Sequence, residues 1–394
     1  MKKLHVVQIC DHLGWPGSRM HGVKRLFAWM IPRFDADRFE VSLVSLRKKD
    51  LSADTLEALG IDVRYLQKSK FDPSTLPALL HLLDDLGADV LHLHGYGATT
   101  FGRLAAAVRG YPTILHEHAN HTTTPWFQRV ADRLLAPYTD LAIGVSQSTV
   151  DFVVRARLIP AARTRLVYLG APLDEFGTPR SKEDIAAARR ALGVPDGTLA
   201  MGTITRLMPS KGNRYLIEAT RRVLDAVPEA RCYIVGEGEL QPALEAQAAA
   251  LGVSDRVTFS GFHADVAVPL AAFDVTVFPS LWEGTPLTAF EALAMGKAIV
   301  STDADGLRDI LTADRDALIV PRAQAEPLAD AIVRLLRDPS ERARLGAQAR
   351  QTSARYDIQA FVRKMERLYD LLRDGSRATR QARLASADLS FLDN

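Results

Sequence analysis

The sequence predicts two open α/β sheets of parallel strands, each doubly wound with helices. Two observations carry this. Apolar, strand-length runs alternate with helical patterns from one end of the 394 residues to the other, and a single passage rich in proline, glycine and charge splits the runs into two sets. A hydrophobic content of 47% is enough to bury the cores that two such sheets need.

The first set of strands reads LHVVQIC, FEVSLVSL, IDVRYL, DVLHLHG, PTILHEH and LAIGVS. LVYLG at 166–170 leads into the dividing passage, Ala171 to Gly197, in which SKEDIAAARRALG suits a short helix between breakers. The second set is LAMGTIT, ARCYIVG, RVTFSG, VTVFPS, AIVSTD and ALIVP. A final helix over Ile358 to Leu372 places Phe361, Met365, Leu368, Tyr369 and Leu372 on one face, and the polar tail from Gly375 is expected to be mobile. The expected divisions are a first domain at 1–175, a linker at 176–197, a second domain at 198–355, the last helix at 356–374 and the tail at 375–394.

A net charge of +2 gives no global field that would draw nucleic acid. Cys10 and Cys232 lie in separate apolar strands, so buried reduced thiols are expected rather than a metal site. The start MKKLHVVQIC reads as a strand, and no apolar stretch reaches the roughly 18–20 residues that span a bilayer. The expected location is cytoplasmic.

The chemistry is densest at Glu283-Gly284-Thr285-Pro286-Leu287-Thr288-Ala289-Phe290-Glu291, which puts two carboxylates across a loop-to-helix junction. Pro286 suits a first helical turn, and the apolar pattern Leu287, Phe290, Leu293, Ala294 runs on to Gly296. The backbone N–H groups of Thr285, Leu287 and Thr288 would face an anion, while the carboxylates of Glu283 and Glu291 can only accept hydrogen bonds, as from sugar hydroxyls. The segment LAMGTITRLMPSKGNRYLI at 199–217 supplies cations, because Arg206 and Lys211 follow a strand and precede a helix that opens near Gly212 and Asn213. A guanidinium grips phosphate bidentately and an ammonium adds a point charge.

Arg206-x4-Lys211, Glu283-x7-Glu291, IVGEGEL at 234–240 and SGF at 260–262 together resemble the retaining glycosyltransferases of family 4, across nearly the whole chain. The resemblance implies the GT-B fold, two Rossmann-like domains facing a cleft, with a nucleotide diphosphate sugar held mainly by the second. It places the diphosphate on Arg206 and Lys211, the ribose on Glu291 and the transferred sugar on Glu283. Gly236, Phe262, Thr285 and Leu287 join the donor site through the same motifs. It implies neither a cofactor nor a metal. The loop DHLGWPGSRMHGVKRLF resembles the family's phosphate-closing segment, with Gly22 at the start of its helix and His21 where the family often has a second glycine. Thr205 and Asp309 replace a common glycine and glutamate.

The first domain gathers histidine: His92 and His94 end one strand, His116 and His118 the next, and His121 lies beyond. His116 and His118, two apart on a strand, share a face. His94 and His118 are expected to line the cleft on the acceptor side, and His118 matches the family's histidine near donor sugar and acceptor. A metal site and buried structural histidines are the alternatives.

The helix Val23 to Met30 bears an apolar stripe of Val23, Phe27, Met30 and Ile31, with Leu26 and Trp29 beside it and Lys24, Arg25, Arg33 and Arg38 nearby. It packs on its sheet or, with Lys48 and Lys49, meets an anionic membrane that carries a lipid-linked acceptor. The function expected from these features is transfer of a sugar from a UDP- or GDP-sugar to a carbohydrate or lipid-linked hydroxyl. A GT-B-like sugar-nucleotide epimerase or hydrolase and a non-catalytic partner subunit remain the alternatives.

Overall fold

The protein is described by a computed structural model covering residues 2–13, 22–49, 53–120 and 124–393. His21 and His121 lie outside the described residues, as does the loop before Gly22 from residue 14 on.

The chain divides into two compact units, Met1–Leu169 with Ile358–Asn394, and Gly170–Asp357. The first carries β1 (Leu4–Cys10), β2 (Phe39–Ser45), β3 (Val63–Tyr65), β4 (Val90–His94), β5 (Thr113–Glu117), β6 (Leu141–Gly144) and β7 (Thr164–Leu166). They form one parallel seven-stranded sheet in the order β3-β2-β1-β4-β5-β6-β7. The second carries β8 (Leu199–Ile204), β9 (Ala230–Val235), β10 (Val257–Gly261), β11 (Val275–Phe278), β12 (Ile299–Thr302) and β13 (Leu318–Val320). These make a parallel six-stranded sheet, β10-β9-β8-β11-β12-β13. β1, β4, β5 and β6 are buried along their whole length, so the polar residues that they carry, among them Gln8, His92, His94, His116 and Glu117, are buried with them. Cys10 and Cys232 are free and buried in strands, and burial pushes the Cys232 thiol up to about 12.

Each sheet has one point where the winding reverses, between β1 and β4 in the first and between β8 and β11 in the second. Loops leaving the carboxyl ends of strands at such a point diverge and leave a crevice, the ligand edge of open α/β sheets.

The passage at 176–197 contains the short helix expected there, Lys182–Ala191, and that helix belongs to the second unit. Ser181 and Asp184 close a capping box at its start, and Arg189 near its end bonds Thr198 O at 2.5 Å, Ala272 O at 3.2 Å and Asp274 at 3.1 Å. The expectation of a mobile tail needs correction. The tail forms a helix over Arg377–Ser386 whose Arg380 is buried, with Nε 3.3 Å from the fully buried Asp140 carboxylate and Nη1 donating to Gly375 O at 2.7 Å. Composition alone reads that segment as polar because the arginine's partner lies 240 residues away.

The helix Gly22–Met30 fits the packed reading of its two alternatives. Leu26, Phe27, Trp29 and Met30 are buried, and so is Lys24, at 1% exposure. Of its apolar stripe, Phe27 and Met30 are buried and Val23 and Ile31 half-buried, and Phe27 lies edge-on to His94.

Removing the tail's anchor should be costly, since a buried carboxylate would lose its main cation. Arg380→Ala is expected to lower the unfolding free energy by about 3 kcal/mol, measured by denaturant titration; a change within error would mean that the tail is not docked.

Candidate active site

In the second unit the loops after β8, β9, β10 and β11 carry the motif residues. Arg206 follows β8, Gly236 follows β9, Phe262 follows β10 and Glu283 follows β11, so Arg206 and Glu283 lie on the two sides of the reversal point. Backbone hydrogen bonds stitch these loops together: Thr205 N–H to Val235 O and Leu207 N–H to Glu237 O, both 2.9 Å, and Gly236 N–H to Gly261 O at 2.8 Å. Ser260 is an extra residue in β10, a bulge that redirects the chain just before Phe262.

Two glycines are required here by space. Gly212 has φ +64°, and a Cβ on it would stand 1.9 Å from Pro279 O, so only glycine lets the Lys211 loop rest on the end of β11. A Cβ on Gly306 would stand 1.5 Å from Gly284 O, so the loop of Glu283 is held equally close to the helix after β12.

Lys211 Nζ lies 2.5 Å and 2.6 Å from the two carboxylate oxygens of Glu283, and Ser280 Oγ donates to Oε1 of the same carboxylate at 2.8 Å. Both side chains are mostly buried, so this is a shielded, charge-assisted pair. Arg206 has no ion-pair partner among the described residues; desolvation lowers its pKa and the attraction of Glu283 opposes that. Its guanidinium is the uncommitted cation of the site. Glu291 is fully buried on the helix Leu287–Ala294, which starts one residue later than expected because Pro286 caps it from an extended conformation. Thr285 and Leu287 are buried at that helix start. Gly22 is exposed with open space around it.

Sequence reading missed several supports. Arg322, after β13, donates to Leu281 O at 2.8 Å, to Asp303 at 3.0 Å and to Asp305 at 3.1 Å, tying three loops together. Asn213 is buried beside Lys211, and neither atom of its side-chain amide has a hydrogen bond among the described residues.

In the first unit, Gln8 on β1, His92 and His94 on β4, and His116 and His118 at the end of β5 form one polar cluster with Tyr369 from the helix Ile358–Leu372. Parallel register sets Gln8 opposite His92 and His94 opposite His116, and the period of two puts the side chains on one face. His94 Nδ1 lies 2.8 Å from His118 Nε2, and His94 Nε2 lies 2.7 Å from Gln8 Oε1. Gln8 Nε2 donates to the Tyr369 hydroxyl at 2.9 Å, that hydroxyl lies 2.7 Å from His92 Nδ1, and His92 Nε2 lies 3.1 Å from His116 Nδ1. His118 is half-buried while the other histidines are fully buried. Burial pushes His92 down to about 3 and His118 down to about 4, and His94 and His116 well below the usual imidazole value. The cluster is therefore neutral near pH 7.

His92, His94 and His116 bring ring nitrogens within 4.8 Å of one another, as metal ligands would. Most of those nitrogens already bond each other, Gln8 or Tyr369, so an ion would have to displace that network. His94 is a buried member of the chain behind His118, and His118 is the member that reaches toward solvent.

The profile of the family Glycosyltransferase Family 4 matches residues 20–175, and that of Glycosyl transferases group 1 matches residues 184–352. The chain belongs to glycosyltransferase family 4. Among the similar proteins, alpha-D-kanosaminyltransferase of Streptomyces kanamyceticus is 28% identical over 72% of this chain and 78% of its own. UDP-Gal:alpha-D-GlcNAc-diphosphoundecaprenol alpha-1,3-galactosyltransferase of Escherichia coli is 23% identical over 81% and 86%. The solved structure of Anabaena HepE in complex with UDP matches with a TM-score of 0.79 at 21% identity, covering 93% of this chain and all of that one. The two sheets of this glycosyltransferase are those of the GT-B fold.

The histidine cluster sets a pH dependence. A histidine held neutral in the fold but ionising at about 6.5 when unfolded binds more protons in the unfolded state, so stability falls as pH drops below 6.5 and levels off only below the folded values. Each such histidine should cost about 1.4 kcal/mol per pH unit inside that window. Melting temperature should fall steeply between pH 6.5 and 5, and His92→Gln should flatten the slope. An unchanged slope in that variant would contradict the assignment.

Proposed function

We propose that the protein is a retaining glycosyltransferase that moves a sugar from a UDP- or GDP-sugar to an acceptor hydroxyl, in building a cell-surface polysaccharide or glycolipid at the inner face of the cytoplasmic membrane. The observation that carries this reading is the pairing of Lys211 with Glu283 beside the uncommitted Arg206, at the reversal point of the second sheet. As the sugar's anomeric bond to the diphosphate breaks, negative charge grows on the leaving phosphate. Arg206, Lys211 and the amides at the start of the helix Leu287–Ala294 would meet that charge without reorganising.

Glu291 would accept hydrogen bonds from the ribose and Glu283 from the transferred sugar while holding Lys211 in place. Gly236, Phe262, Thr285 and Leu287 would complete the donor pocket, Gly22 would allow close approach of the diphosphate, and His118 would bind a hydroxyl of donor or acceptor. None of these side chains is an evident covalent nucleophile, so the reading is attack on the face the diphosphate leaves, with the departing phosphate taking the acceptor proton. HepE was solved with UDP and with UDP-glucose, and the Escherichia coli relative is named for a diphosphoundecaprenol acceptor, which supports a nucleotide diphosphate donor and a lipid-linked acceptor.

The lipid part of the reading is also favoured by a surface. The helix Trp126–Leu135 is turned inside out: Gln128 and Asp132 are buried, with Asp132 paired to Arg103 and Arg157, whereas Trp126 is 77%, Val130 50% and Leu134 67% exposed. Phe71, 71% exposed, packs edge-on against Phe127 of that helix, and Arg129, Arg133 and Lys70 add positive charge to the same region. Apolar and aromatic side chains rimmed by arginine suit the boundary of an anionic bilayer. No helix among the described residues is long and apolar enough to cross a membrane.

Arg206→Ala or Lys211→Ala should reduce turnover about a hundredfold, as loss of one oxyanion donor does, with the fold kept; near-normal turnover at saturating donor would refute the diphosphate assignment. Turnover of an α-linked donor should give an α-linked product and persist in EDTA. A β-linked product in the proton spectrum would overturn retention, and loss of activity in EDTA would assign a metal to the histidines. Cosedimentation with phosphatidylglycerol vesicles should fall with added salt and be lost in a Trp126→Ser, Leu134→Ser variant; equal binding by that variant would move the membrane contact elsewhere.

A further inference from the structure

The six-membered chain His118–His94–Gln8–Tyr369–His92–His116 has a direction, and one amide decides it. Among its members only Gln8 has a donor end and an acceptor end that cannot be exchanged by moving a proton. Its oxygen faces His94 Nε2, so that nitrogen carries the hydrogen. A neutral imidazole has one donor and one acceptor, which leaves His94 Nδ1 as an acceptor and makes His118 Nε2 the donor to it at 2.8 Å. His118 Nδ1 is then a bare lone pair, and it makes no hydrogen bond among the described residues.

The other arm follows the same logic. The Tyr369 hydroxyl accepts from Gln8 Nε2 and passes its own hydrogen to His92 Nδ1, and His92 Nε2 donates to His116 Nδ1. The arm ends on His116 Nε2, which is buried and has no hydrogen bond among the described residues. Turning the Gln8 amide over would reverse every donor in the chain, and His118 would then offer an N–H instead of a lone pair.

We propose that Gln8, His94 and Tyr369 are positioning residues that fix His118 as its Nε2–H tautomer, so that Nδ1 accepts a hydrogen bond from a sugar hydroxyl during transfer. The inference rests on the role given to His118 above. It explains why the mostly apolar strand LHVVQIC buries a glutamine at 0% exposure, and why the helix Ile358–Leu372 brings a fully buried tyrosine hydroxyl to it. An isolated imidazole exchanges tautomers freely, and a hydrogen bond to its second nitrogen is what selects one. Here the direction of the Gln8 amide is carried to His118 through His94, and the Tyr369 hydroxyl accepts from the amide's other end.

The test combines a spectroscopic signature with kinetics on the full-length protein labelled with 15N-histidine. In the wild type the His118 signals should show a protonated Nε2 and an unprotonated Nδ1. Gln8→Leu, which removes both ends of the amide, and Tyr369→Phe, which frees the amide to turn, should each give a mixture of His118 tautomers. Both should lower kcat about tenfold, the worth of one misdirected hydrogen bond, and leave KM for the nucleotide sugar unchanged. Gln8→Glu keeps an acceptor facing His94 Nε2 and should retain the His118 tautomer and most of kcat. Folded Gln8→Leu and Tyr369→Phe proteins with an unchanged His118 tautomer, or a changed tautomer with wild-type kcat, would overturn the relay. His118→Ala separates the two levels: wild-type kcat in that variant overturns the role of His118 itself, whereas its inactivity beside fully active relay variants overturns only the relay.

Discussion

The ion pair between Lys211 and Glu283 is the interaction on which the rest of the proposed donor site depends. It spans the reversal point of the second sheet, joining the loop after β8 to the loop after β11, and it brings opposite charges to within 2.5 Å in a mostly buried setting. Such a pair adds little net stability, because desolvating both charges offsets most of their attraction. Its value is positional. An ammonium on a four-carbon stem would sample many rotamers, and the carboxylate, itself held by Ser280, confines it to one place. Arg206 differs in having no ion-pair partner among the described residues, so one cation is held and the other is available.

Around that pair the structure spends backbone precision. Gly212 and Gly306 allow contacts that a single methyl group would forbid, and Arg322 bridges the loops after β11, β12 and β13. The first unit uses another device for the same end. Its polar cluster is neutral, buried and hydrogen-bonded in sequence, so its side chains are oriented by donor and acceptor logic without any salt bridge. A charged site suits a diphosphate and a neutral directional one suits hydroxyl groups, which is the division of labour proposed here.

Much of this was legible in the sequence because it is local. Strands buried on both faces are rich in apolar residues, and all thirteen observed strands fall within or beside the runs read from the sequence. The places of Arg206, Lys211 and Glu283 between strand and helix, and of Glu291 on the helix, were readable because they are encoded within a few residues. What stayed hidden is non-local. Nothing near Gln8 announces Tyr369, 361 positions away, and nothing near Arg380 announces Asp140. The helix Val23 to Met30 invited a membrane reading through its apolar stripe, yet Leu26, Phe27, Trp29 and Met30 are buried, while the helix Trp126–Leu135 hides Gln128 and Asp132 and exposes Trp126, Val130 and Leu134. Amphipathic spacing gives two faces and not which of them points outward; here a buried arginine pair on other elements drew Asp132 inward and decided it.

The central claim is that Glu283 organises Lys211 for the diphosphate, and a double-mutant cycle on binding of UDP and GDP measures it most directly. Calorimetric titration of the wild type, Lys211→Ala, Glu283→Ala and the double variant gives the coupling between the two side chains. The account predicts a coupling of about 1–3 kcal/mol for the nucleotide that binds, with Lys211→Ala costing far less affinity once Glu283 is gone. Additive losses would contradict it, because the two residues would then act on the ligand independently.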